Sequence, residues 1–410
     1  LSWCPAVTLA ALGVPFSAAA QSQVDSSVYV SANGGYSSNP FLSEGDDEGL
    51  LIGQVDVRPT LEWRNELDVI RLESFFTHAQ YSEDVGSTDA AGTTLTASSR
   101  IDAQTTLRAV IAFDSSVLGV GDAVLARGSG SLQTPSIPSD PTAGEPPVTQ
   151  PAVPETIETP DGDIDLIGSR QRRNSLSLAV SAEIRPDARS SWTIGANASG
   201  ADYPGGNQAA AGYRTAGLST NYRRDLSELT SLGARAEAYV ADYKGGPTSK
   251  VYTLQAYTTR RLSQFWSLDA GAGASVIDGG DTVTLFSGQA SLCNRQPLAV
   301  FCIVASREPA ISGLSGVRTQ TNIGANYQVL LDANSSLSGA ASYAWTGADV
   351  QSSLGERRFL TLSTTYRRDV GRRFSIMAAV DSRYLQISGS QSRRDVALRL
   401  GGAFRFGMTR

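Results

Sequence analysis

The residues that could do chemistry in this chain are its carboxylates and arginines, because the usual catalytic side chains are nearly absent. A nucleophilic triad needs an imidazole poised by a carboxylate. His78 is the single histidine, on the alternating segment 67–80, and it reads as a structural or interfacial side chain. Zinc needs clustered Cys, His or carboxylate ligands, and no such cluster is spaced along the chain, so no metal and no cofactor is expected. No glycine-rich phosphate loop precedes a helix. The 40 glycines fall mostly in extended segments, where they give room for packing and curvature. Paired acids for glycoside cleavage need a set separation, which sequence does not define, and the chain reads as a non-enzyme.

What remains is a set of charged residues that recur on one side of alternating segments: Asp56, Arg58, Glu62, Arg71, Glu73, Arg108, Glu183, Arg235, Glu237, Asp269, Asp381, Arg383, Arg399 and Arg405. If that side lines a water-filled lumen, these charges set a transverse field or a hydrated polar track, as charged rings do in channels. The alternative is that they pair across neighbouring strands and fill the lumen.

The elements that must position them are strands. Val396, Leu398, Leu400, Gly402, Phe404 and Phe406 alternate with Ala397, Arg399, Gly401, Ala403 and Arg405. Period two is a strand with one apolar and one polar face. The same pattern places Leu51, Gly53, Val55, Val57, Pro59, Leu61 and Trp63 opposite Ile52, Gln54, Asp56, Arg58, Thr60 and Glu62. So many polar side chains facing one way suit a wet lumen better than a buried sheet face. Aromatics such as Trp63, Trp192, Tyr222, Trp266, Tyr343, Trp345 and Tyr366 stand near strand ends, as in the interfacial girdles of membrane barrels.

The turns recur as well. Tyr222-Arg223-Arg224-Asp225 and Tyr366-Arg367-Arg368-Asp369 each end a strand, and Ile184-Arg185-Pro186-Asp187 takes an equivalent place. One loop, two strands and one short turn make a hairpin repeat. Short turns near 65, 103, 187, 225, 262, 333 and 370 predict an all-β, antiparallel, up-and-down transmembrane barrel of about 16 strands, within 14–18. The Pro-rich stretch 116–171 is expected as a long loop outside the barrel, and its composition cannot bury a core. A second long loop is expected over 278–315, carrying two of the three cysteines.

Net charge is −6 and the pI about 5.1. With no basic stripe, nucleic-acid binding is set aside. Ala6–Phe16 followed by Ser17-Ala18-Ala19-Ala20 has the form of a secretory signal over residues 1–20, leaving 21–410 as the barrel. Export implies an oxidising compartment in which Cys293 and Cys302 are free to pair; a reduced pair is the alternative. Phe404 and Phe406, on the last strand, are the candidate assembly signal.

Gly35-Tyr36-Ser37-Ser38-Asn39-Pro40-Phe41, together with the Tyr-Arg-Arg-Asp turns, resembles the proteobacterial outer-membrane β-barrel porins found beside capsule and exopolysaccharide genes. The resemblance spans about residues 25–406. It implies outer-membrane lipid and the barrel-assembly machinery as partners, with a periplasmic polysaccharide-export protein and a polysaccharide substrate. The functional expectation is a passive outer-membrane channel for exopolysaccharide or a related envelope polymer. The alternatives are a non-transporting surface anchor, which an inward-folded loop would favour, and a general small-solute porin.

Overall fold

Alternation governs the whole molecule. The computed structural model describes residues 22–44, 49–82, 86–117, 164–204, 210–280, 282–314, 316–347 and 355–407. The expected signal segment, 1–20, lies outside them. The first nine strands are β1 (Gln23–Ser37), β2 (Leu50–Arg64), β3 (Asp68–Tyr81), β4 (Ser87–Arg100), β5 (Thr105–Val117), β6 (Arg172–Asp187), β7 (Ser190–Asp202), β8 (Tyr213–Ser227) and β9 (Thr230–Tyr243). The rest are β10 (Ser249–Arg261), β11 (Trp266–Asp278), β12 (Thr282–Arg295), β13 (Ala299–Ser312), β14 (Gly316–Asp332), β15 (Ser335–Thr346), β16 (Arg357–Asp369), β17 (Phe374–Ile387) and β18 (Arg393–Gly407).

Each strand pairs antiparallel with the next, and β1 pairs with β18 from Ser27↔Gly407 to Ser37↔Ala397, closing an 18-stranded barrel. Closure matters because an open sheet edge in lipid leaves backbone N–H and C=O groups unpaired, at several kcal/mol each. Short turns gather at one end, where β1 also starts and β18 finishes; the longer connections gather at the other.

The apolar face points out. On β10, Leu254 is 64% exposed while its neighbour Gln255 is buried; on β18, Val396, Leu398 and Leu400 are exposed while Asp395 and Ala397 are buried. Apolar outside and polar inside inverts the order of a soluble protein and matches a barrel whose solvent is lipid. The chain is an integral outer-membrane β-barrel. Among the described residues no helix is long and apolar enough to cross a membrane; the strands make the crossing.

The strand number is 18 rather than about 16, and the difference lies in 278–315. That stretch is not a loop but the hairpin β12–β13, with its turn at 296–298. Its alternation is broken by the adjacent small residues Ser287 and Gly288 and by Pro309 inside β13, so the period-two signal fades. The β12–β13 ladder is correspondingly short, from Gly288↔Arg307 to Arg295↔Val300. Pro59, which lacks an N–H, has a similar local effect: the β2–β3 register runs Val57↔Phe76 and resumes at Thr60↔Glu73.

The Pro-rich stretch also departs from expectation where it is described. Its first residues, to Val117, complete β5, and its last part does not stay outside. Ile164–Leu166 form a single 3-10 turn, fully buried within the barrel. Residues 118–163 lie outside the described part.

Candidate functional site: the lumen and its two mouths

At the long-loop end two segments fold into the lumen. The first is Asn39–Ser43, after β1. Its backbone is anchored by Asp395 on β18, which accepts hydrogen bonds from Ser37 Oγ at 2.6 Å and from the Asn39 amide at 2.9 Å. Arg383 on β17 donates to Asp395 through Nη2 at 2.6 Å and to the Pro40 carbonyl at 2.9 Å. This charge-assisted hub is almost wholly buried. Leu42 then packs with Ile164, Ile167, Ala344, Phe359 and Leu385, while Phe41 packs on Leu50, Ile52, Ala79 and Tyr81. The Phe41 and Tyr81 rings lie 4.9 Å apart, and the Arg170 guanidinium sits 3.9 Å over Phe41.

The second segment is the 3-10 turn Ile164–Leu166 with the residues that follow it. Asp165 pairs with Arg318 of β14 at 2.8 Å and faces Arg357 of β16 at 3.6 Å. Arg357 also donates to the Asp165 carbonyl. Ile164 and Ile167 pack on the β15–β17 wall, whereas Leu166 packs on Ala201, Tyr203 and Tyr213 of the β7–β8 side and on Leu314. The turn therefore bridges nearly opposite parts of the wall. Leu42 (φ 50°) and Arg170 (φ 55°) are the non-glycine residues with positive φ among those described. Both belong to this plug, where packing holds the backbone in a sparsely populated conformation.

Below the plug the wall is polar. A groove of 360 Å³ runs along the arc from β14 through β18 to β2, lined among others by Asn33, Gln54, Asp56, Asn326, Asp381 and Arg399. Asp56 accepts from Thr77 Oγ1 at 2.7 Å, Gln54 Nε2 at 3.0 Å and Ser31 Oγ at 3.2 Å. Arg399 donates to Asp381 through Nε at 3.1 Å. Gly35 stands opposite Arg399 in the register; a Cβ there would overlap the Leu398 carbonyl and crowd the Arg399 side chain. Three amide oxygens of the groove, Asn33 Oδ1, Gln54 Oε1 and Asn326 Oδ1, are buried without a hydrogen-bond partner among the described residues.

The other charges form local pairs. Glu62 pairs with Arg64, and Arg71, its register partner on β3, pairs with Glu73. Glu183 takes Arg185 at 2.8 Å and lies 3.9 Å from Arg108. Arg235 donates to Gln255 at 2.7 Å, with Glu237 two positions along the same strand, and Asp269 accepts from Ser291 at 3.2 Å. The candidates do not converge on one constellation: Asp56, Arg58, Asp381, Arg383, Arg399 and Arg405 share the β17–β18–β2 arc, while Arg235, Glu237 and Asp269 stand on β9 and β11. Cys293 and Cys302 are register partners on β12 and β13 and are joined by a disulfide. The Phe404 and Phe406 rings meet at a tilt of 49°, centroids 4.5 Å apart, near the short-turn end. His78 pairs with Asp89 at 2.6 Å on an exposed surface.

Asp165, Arg318, Arg357 and Asp395 were not singled out by sequence reasoning, although Asn39-Pro40-Phe41 was. The one available signal was Asp395, a carboxylate at a lumen-facing position of the last strand.

No family model matches this chain, and no curated relative does. Among solved structures it is similar to Pseudomonas aeruginosa OccK7 (OpdD), with a TM-score of 0.47, 9% identity and coverage of 95% of this chain and 100% of that one. It is also similar to P. aeruginosa OpdQ (TM-score 0.46, 10% identity, 94% and 98% covered) and Acinetobacter baumannii OccAB2 (0.46, 9%, 94% and 98%). A likeness at that level carries no functional argument of its own.

Proposed function

We propose that this barrel is an outer-membrane channel through which small polar solutes pass passively. The observation that carries this reading is the polar, charge-lined wall of the lumen below the plug. The inward-folded plug taken alone would favour the anchor; above such a wall it acts as a constriction. Channels select by diameter and by the polar groups that replace a solute's hydration shell. Here the 3-10 turn bridges the lumen and narrows it, while the wall below offers carboxylates, amides and arginines. The narrowing supports small solutes over a bulky polymer.

One observation favours the polymer reading. The orphaned amide oxygens of Asn33, Gln54 and Asn326 would accept hydrogen bonds from sugar hydroxyls, and the resemblance to barrels beside exopolysaccharide genes points the same way. A purely anchoring barrel would leave these groups without a role. Uptake into proteoliposomes separates the readings. Size-limited entry of small sugars and amino acids supports the small-solute channel. Exclusion of these, with current blocked by exopolysaccharide, supports the polymer, and no permeation at all supports the anchor.

A further inference from the structure

The short-turn mouth holds a cleft of 540 Å³ whose lining includes Tyr29, Arg58, Arg367, Arg372, Arg373 and Arg405. In a chain of net charge −6 this local excess of positive charge is not a matter of composition. The register builds it: Tyr29 lies opposite Arg58 of β2 on one side and Arg405 of β18 on the other. The Arg405 amide donates to the Arg373 carbonyl at 2.8 Å, which brings the β16–β17 turn alongside. Among the described residues Asp369 is the one carboxylate in the lining, and it pairs with Arg367 at 3.0 Å. Arg58, Arg372, Arg373 and Arg405 form no ion pair among the described residues, and Arg58 Nε is buried without a hydrogen-bond partner. Tyr29 is held by its hydroxyl, which lies 3.6 Å from Met377 Sδ.

Like charges gathered around a concave wall repel unless an anion sits among them, and low-dielectric walls focus the field they make. Guanidinium groups also match the two oxygens of a carboxylate or phosphate. We infer that this cleft is an oxyanion-binding site for small carboxylated or phosphorylated solutes, at the end of the lumen opposite the plug. Its place on a permeation route rests on the channel reading; binding itself does not.

The test is calorimetric titration of the purified protein, in phospholipid-free non-ionic detergent, with succinate and separately with inorganic phosphate. The absence of phospholipid separates a solute anion from a lipid headgroup. Saturable binding of either probe, weakened by about tenfold or more in Arg58→Gln and in Arg405→Gln, is the expected result. No binding of either probe, or binding unchanged in both variants, overturns the site. A parallel reversal-potential measurement in a potassium chloride gradient should show a chloride preference that falls in both variants. Arginine-dependent binding without conductance keeps the site and removes the channel. Conductance without arginine-dependent binding does the opposite.

Discussion

Asp395 is the residue on which the outer mouth depends most. Its carboxylate holds Arg383, Ser37 and the Asn39 amide at once, so removing it leaves a buried guanidinium uncompensated. Asp395→Ala should lower stability by about 3 kcal/mol or more, read as the urea midpoint in detergent; Asp395→Asn, which keeps a neutral acceptor, should cost less. A second residue-scale expectation concerns the turn between β4 and β5. Backbone hydrogen bonds from the Gln104 and Thr105 amides hold the Asp102 carboxyl below the ordinary carboxylate range. A depressed folded pKa gives stability that is present above the unfolded value and lost as pH falls through the folded one. The protection factors of the Gln104 and Thr105 amides, exchange rates divided into their intrinsic values, should therefore be high at neutral pH and fall below about pH 4. These pins were hard to foresee because their partners are remote: Ser37 and Asp395 are 358 positions apart, and Asp165 and Arg318 are 153 apart. A sequence shows each charge but not which one the fold brings to it.

At the scale of elements, alternation decides nearly everything. It revealed the strands and the apolar exterior because period two maps each residue to a face without tertiary information. It failed at β12–β13, where Ser287, Gly288 and Pro309 interrupt the period, and for the 3-10 turn at 164–166, which is too short to have one. The Tyr-Arg-Arg-Asp repeats take on meaning in the same terms. Arg223 and Arg367 reach forward to Asp225 and Asp369, each at 3.0–3.1 Å, two positions along the same face. Tyr222 lies on the opposite face, its ring 4.7 Å from that of Trp192. Faces also set mutational cost. Leu254→Arg, on the lipid side, should destabilise by about 2–4 kcal/mol, whereas Asn197→Arg, on the inner face of β7, should be close to neutral; equilibrium folding into lipid vesicles measures both. Replacing both Cys293 and Cys302 by serine should cost about 2–3 kcal/mol through the freed unfolded chain, while leaving the barrel closed by its remaining ladders.

For the whole molecule, closure and plug act together. Eighteen paired strands leave no edge for lipid to meet, and the width they enclose is then reduced by Asn39–Ser43 and Ile164–Leu166. The plug is tied by ion pairs to β14 and β16, and by hydrogen bonds to Arg383 of β17 and Asp395 of β18, and removing these polar ties loosens a plug that otherwise rests on apolar packing. The most direct test is single-channel conductance of the purified protein in planar bilayers, beside a variant carrying Asp165→Asn and Asp395→Asn. A small, steady conductance in the parent and larger steps in the variant are the expected result. No conductance in either would contradict a plugged, water-filled channel and leave a barrel that does not transport.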